Sequence, residues 1–105
     1  MLTFEINGYL KYNFKVNEGV KMDKKITDSE IAYYINNVKE AYILFNIEGD
    51  DLTVTKTYVG DALRGKGMAR MLMDDVMNYA KNRYNVKATC SYAIKYLGNL
   101  ENEKN

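Results

Sequence analysis

The chain has 105 residues, 47% of them hydrophobic and 28% charged, with a formal net charge of +1. This is one domain's length with a modest core, and the near-neutral balance leaves no electrostatic footprint for nucleic acid. A single cysteine, Cys90, and no histidine exclude an internal disulfide framework and argue against a zinc site. No apolar run approaches the ~20 residues of a membrane span, no signal peptide is expected at the start, and the lone cysteine favours a reducing cytoplasm.

The first expected element is a β-hairpin over residues 2–16, "LTFEINGYLKYNFKV", where apolar and polar residues alternate on either side of Asn7-Gly8. A three-residue connection pairs Ile6 with Leu10, Phe4 with Tyr12 and Leu2 with Phe14, keeping the apolar side chains on one face. Residues 17–30 read as a polar connection. Residues 31–59 read as three antiparallel strands, with turns at Asn36-Asn37 and at Glu48 to Asp51. Thr27 and Glu30 have capping-box spacing, but the β-branched and aromatic residues of 31–35 favour a strand there.

From Gly67 the apolar period changes. Met68, Leu72, Val76, Tyr79 and Ala80 share one helical stripe, which predicts a helix to about Arg83. "VKATCSY", residues 86–92, reads as a short buried strand. "AIKYLGNL" reads as a short helix at best, and "ENEKN" as a solvated tail.

Between strand and helix lies "VGDALRGKGMARML", residues 59–72. Arg64, Lys66 and Arg70 crowd a helix start whose dipole is already positive. Gly65 and Gly67 allow backbone conformations closed to other residues, and free N–H groups at a helix start form an anion site. A bound anion accounts for the cations; a solvated basic helix start is the alternative. "GDALRGKG" follows the P-loop spacing as far as Lys66, but Gly67 stands where a Ser or Thr hydroxyl would hold magnesium. A dinucleotide fingerprint fails because Arg70 stands where its third glycine belongs.

The remaining phosphate motif is Arg-x-x-Gly-x-Ala, met by Arg64, Gly67 and Ala69. With the preceding strand, the helix, the short strand and "TCSY", it resembles the GNAT superfamily of N-acetyltransferases over residues 52–97, and its small stand-alone branch in particular. The resemblance implies a mixed α+β fold. A mostly antiparallel sheet splays at the cofactor site, with one long and one short helix and the hairpin as an N-terminal addition. Length makes 1–105 a single domain, with 1–30 as hairpin and connection, the hairpin lying outside the resemblance, and 31–100 as the acetyltransferase-like core. The resemblance also implies acetyl-coenzyme A as cofactor. Arg64, Gly65, Lys66, Gly67, Met68 and Ala69 would wrap the pyrophosphate. Tyr58 and Val59 would lie beside the pantetheine amides, and the strand at 86–91 would form the other lip.

Cys90, near the thioester, and Tyr96, where many relatives place the acid for the leaving thiolate, are the candidate catalytic residues. Packing roles are open for both. Asp61 is the carboxylate beside the turn, and shaping the turn is its expected role. Where the branch commonly has a glutamate and a proline, this chain has Tyr58 and Gly60, so no obvious general base is left. Three functions stay open. One is an N-acetyltransferase acting on a small amine or a protein lysine. Another is a coenzyme A-binding module without turnover, and the third is an interaction domain using its hairpin edge. A monomer or weak homodimer without nucleic acid or membrane partners is expected.

Overall fold

The structure, a computed structural model, describes residues 22–104, with side chains to residue 100. The hairpin expected at 2–16 lies outside the described residues. The elements in order are β1 (Met22–Ile26), β2 (Glu30–Ile35), β3 (Val38–Glu48), β4 (Asp51–Val59), α1 (Met68–Ala80), β5 (Asn85–Ala88) and α2 (Ser91–Lys104). They make one sheet of order β1-β2-β3-β4-β5, in which β4 and β5 are parallel and the other neighbours antiparallel.

The turns follow local chemistry. Asn36 and Asn37 both adopt positive φ, 49° and 70°, the primed conformation that matches the twist of a two-residue hairpin. Residues 22–26, expected within a polar connection, instead form β1, paired from Met22↔Ile35 to Ile26↔Ile31. "MDKKI" lacks strict alternation because one of its lysines is turned inward, which hides the strand from a pattern search. The capping-box residues serve a strand turn: Thr27 Oγ1 accepts from the Glu30 N–H at 3.0 Å and the Ser29 N–H at 3.2 Å. The same local bonding suits a helix start or a turn.

Two helix boundaries depart from the sequence reading. α1 stops at Ala80 rather than Arg83; Asn82 turns to φ 64°, and the Arg83 guanidinium donates to the Tyr79 carbonyl. At the other end, α2 is one helix of 14 residues that absorbs most of the expected tail. Consequently β5 ends at Ala88 and Cys90 is not a strand residue. Ile94 N–H bonds the Cys90 carbonyl at 3.0 Å, which puts Cys90 at the start of the helix.

One face of the sheet carries the core. Met68, Met71, Leu72, Met73, Val76 and Ala80 of α1 pack on Ile31, Tyr33, Ala41, Ile43, Phe45, Leu52 and Val54, and α2 joins through Ala93. Strand alternation places Tyr34, Tyr42 and Tyr58 on the opposite face. Lys25 lies 4.9 Å from the Tyr34 ring centroid, and Lys39 and Lys56 lie 5.4 and 5.7 Å from that of Tyr42.

Inside the core one carboxylate is buried. Asp75 of α1, 4% exposed, accepts from Lys24 Nζ of β1 at 3.3 Å and from the Tyr33 hydroxyl of β2. Asp75→Asn would leave the Lys24 ammonium buried without its counter-charge. It should lower unfolding free energy by about 3–5 kcal/mol, measured by chemical denaturation.

Candidate active site

The parallel pair β4–β5 is short. It runs from Asp51↔Asn85 to Val54↔Ala88 and ends with the Thr89 N–H bonded to the Val54 carbonyl at 2.9 Å. Beyond that rung β4 continues alone to Val59, while the chain after Thr89 turns into α2. A split therefore opens between the two strands, floored by the Thr57 and Cys90 side chains, whose Oγ1 and Sγ are 3.6 Å apart.

A β-bulge sets which backbone groups line the split. Leu44 pairs with Lys56 but Phe45 with Val54, so Thr55 is an extra residue on β4. The Val54 carbonyl points to β5, whereas the Gly60 N–H points to β3 and bonds the Glu40 carbonyl at 2.6 Å. By alternation, Thr57 and Val59 present their backbone groups to the open side, and Tyr58 turns its backbone to β3. Val59 thus turns its backbone to the open side. Tyr58 instead contributes its side chain to the outer sheet face, with Thr57 taking its place along the split. The expected opposite lip at 86–91 is a strand only to Ala88; the start of α2 completes it.

The turn has the geometry its glycines suggested. Gly65 and Gly67 adopt φ 79° and 77°, and nothing lies within 4 Å of a Cβ built on either. Gly67 is the N-cap of α1, without a side-chain cap and with no acidic residue in the first turn. Because Met71 N–H makes the bond back to Gly67, the Ala69 and Arg70 N–H groups precede the helix's own hydrogen-bond ladder. Arg64 is bound locally, to Asp61 at 2.6 Å and to the Val59 carbonyl at 3.2 Å, which gives Asp61 the turn-shaping role expected of it. Lys66 and Arg70 have no ion pair among the described residues. Met68 is buried in the core and anchors the turn from below.

The two candidate catalytic side chains are not joined in one cluster. Cys90 is half-buried against Thr57 at the floor of the split. The Tyr96 hydroxyl donates to Asp74 Oδ1 at 2.6 Å and lines a cavity of about 230 Å³ with Arg70, Tyr92, Lys95, Asn99 and Leu100. Burial, followed by the bond to Asp74 and its charge, holds the Tyr96 phenol well above the ordinary tyrosine range. No group of three or more His, Cys, Asp or Glu residues suited to a metal occurs among the described residues.

Sequence reasoning missed Glu40. Tyr33 pairs with Ala41 but Tyr34 with Lys39, so Glu40 is the extra residue of a second bulge. Its Oε1 lies 2.7 Å, and the Tyr58 hydroxyl 3.6 Å, from where a Gly60 Cβ would stand. A glutamate remote in sequence from the turn carries no local sign of this. The one available clue was Gly60, in place of the branch's proline.

The fold agrees with comparison to known proteins. The family model described as GCN5-related N-acetyl-transferase matches residues 30–104. The chain belongs to this family. A Deinococcus radiodurans R1 protein classed by inference as an acetyltransferase superposes with a TM-score of 0.55 at 15% identity, over 69% of this chain and 52% of its own. A protein of unknown function from meticillin-resistant Staphylococcus aureus, also classed by inference as an acetyltransferase, gives 0.55 at 15% identity, over 70% of this chain and 59% of its own. These likenesses are of fold, and the chain spans a little over half the length of both proteins. No curated protein matches it. No helix among the described residues is long and apolar enough to cross a membrane.

The Tyr96 environment is directly measurable. Its folded pKa is raised, so its contribution to stability is full below the unfolded tyrosine value near 10 and is lost as pH rises through the folded value. In an alkaline titration followed by tyrosinate absorbance, Tyr96→Phe should remove one of the steps displaced above the ordinary tyrosine range.

Proposed function

We propose that the chain is an acetyl-coenzyme A-dependent N-acetyltransferase that passes the acetyl group to an amine by direct attack in a ternary complex. The observation that carries this reading is the conjunction of the split with the turn. The N–H groups of Thr57 and Val59, turned away from β3, and those of Ala69 and Arg70, ahead of the helix ladder, flank the turn on its two sides. Thr57 and Val59 suit the amides of an extended pantetheine arm, as a strand would pair with them. The N–H groups of Ala69 and Arg70, with Lys66 and Arg70 side chains beside them, suit a diphosphate.

Acetyl-coenzyme A supplies the activated thioester. The residues of the chain then have three tasks: to bind it, to orient its carbonyl against a backbone donor of the split, and to exclude water. The Thr57 N–H faces the open side and is the donor placed to polarise an acyl oxygen there. Cys90 and Thr57 wall the acetyl end, and Arg64, held by Asp61 and the Val59 carbonyl, braces the turn. The acceptor is a small amine or a protein lysine, and the setting is the cytoplasm.

One observation favours a second reading, a coenzyme A-binding module without turnover. The Tyr96 hydroxyl is already committed to Asp74, so it is not directed toward a leaving thiolate. Thiol release from acetyl-coenzyme A in the presence of amines separates the two readings.

Coenzyme A or acetyl-coenzyme A at a hundredfold over its dissociation constant should stabilise the fold by about 2.7 kcal/mol, read as a rise in melting temperature. Absence of any rise would remove both readings. Gly67 sits at φ 77°, which asparagine tolerates and valine does not. Gly67→Asn should therefore keep the melting temperature of the free protein and lose the ligand-induced rise, because its side chain enters the anion site. Gly67→Val should lose both. Lys66→Glu should weaken coenzyme A binding through charge, and added salt should narrow its difference from wild type.

A further inference from the structure

Glu40 is half-buried, and its carboxylate makes no hydrogen bond or ion pair among the described residues. Its oxygens are therefore open to a partner from outside the chain, and a partly covered carboxylate gains most from one that is charged and can donate. Three features hold it in place. The bulge on β3 re-aims it, the ladder bond from the Gly60 N–H to its own carbonyl fixes its backbone, and the missing side chain of Gly60 gives its carboxylate room. An alanine at position 60 would meet Glu40 Oε1 at 2.7 Å and the Glu40 carbonyl at 2.9 Å.

The same sheet face shows how this protein holds an ammonium group. Lys39 Nζ is bonded to the Glu30 carboxylate at 2.7 Å and lies 6.0 and 5.4 Å from the ring centroids of Tyr34 and Tyr42. A carboxylate beside tyrosine rings is thus an ammonium site already used once within the fold. Glu40 with Tyr58 repeats that pairing at the end of β4. Tyr58 is 44% exposed and stacks on Tyr42 at 5.3 Å, yet no lysine or arginine of the described residues lies over its ring. The stacked pair also stands between Glu40 and Lys56, which register places opposite Leu44, so Lys56 does not neutralise the carboxylate.

We propose that Glu40 and Tyr58 form a subsite for a primary ammonium group, through which the acceptor is held at the outer mouth of the split. The inference rests on the acetyltransferase reading for its biological use, but the ammonium site itself is testable without turnover. Glu40 would accept hydrogen bonds from the ammonium, and the Tyr58 ring would cover one side of it.

The experiment uses n-butylammonium as probe, with the full chain saturated with coenzyme A. The side-chain carboxyl resonances are followed by carbon NMR, and that of Glu40 is assigned by its loss in Glu40→Gln. The expected result is a saturable shift of the Glu40 signal. A competing amine-binding assay should show at least about a tenfold loss of affinity in Glu40→Gln, the equivalent of one charge-assisted hydrogen bond. Tyr58→Leu, a change at an exposed ring that the fold should tolerate, should weaken the probe several-fold. Coenzyme A affinity should be unchanged in both variants. A wild-type protein that binds coenzyme A but shows no saturable Glu40 shift overturns the subsite, as does a Glu40→Gln protein with wild-type affinity for the probe. Failure of the wild type to bind coenzyme A is read on a separate axis and strikes the acetyltransferase reading instead.

Discussion

The hydrogen bond from Thr89 N–H to the Val54 carbonyl is the last rung of the parallel β4–β5 pair, and the rest of the candidate site depends on where it falls. Had β5 continued alongside β4, the backbone groups of Thr57 and Val59 would be used up in the sheet. Because β5 stops at Ala88 and the chain enters α2, those groups stay unpaired within the sheet and face an opening. Unpaired strand edges are usually a liability that proteins cover or blunt. Here the edge lies between two strands rather than at the rim, where a second protein chain cannot easily reach it but an extended small ligand can.

Two extra residues do the aiming. Thr55 on β4 switches the hydrogen-bonding sense of the strand above it, so that the open edge belongs to Thr57 and Val59. Glu40 on β3 projects its carboxylate over Gly60 on the outer face. A bulge changes direction and pairing by one residue at little cost in core packing. Below the bulges the sheet stays regular, and Ile31, Ile43, Phe45, Leu52 and Val54 continue to bury against α1.

The turn also needs α1 to be held rigidly, since its backbone donors are useful only if they point at one place. The buried contact of Asp75 with Lys24 and Tyr33 joins the middle of α1 to β1 and β2, the strands furthest from the split. Met68, fully buried, holds the first turn of the helix. The glycine turn is thereby tied to the sheet from two sides, one apolar and one ionic. The ionic tie is directional in a way that a stripe of methionines is not, because a buried charge tolerates only a partner of the right sign and position.

Much of this was legible from local pattern. The strands of 31–59, the asparagine turn, the start of α1 and the glycine turn follow from alternation, helical period and positive-φ residues, which act over a few neighbours. The family resemblance rested on residues 52–97, which hold the glycine turn, the helix and the segment after it. The misread elements were those whose character comes from distant partners. β1 pairs along β2 and sends Lys24 to Asp75 across 51 residues, α2 packs on the core through Ala93, Tyr96 and Leu97, and Cys90 belongs to the start of that helix. Tyr96 was marked by the family resemblance as the place of an acid for the leaving thiolate, but its bond to Asp74 was not legible. The sequence by itself determined the turn, its cations and the elements that flank it, since φ preference and charge belong to single residues. Only the tertiary structure decided which backbone edge is open and that Glu40 stands over Gly60, because both depend on the register between strands and a bulge shifts register without leaving a mark in composition.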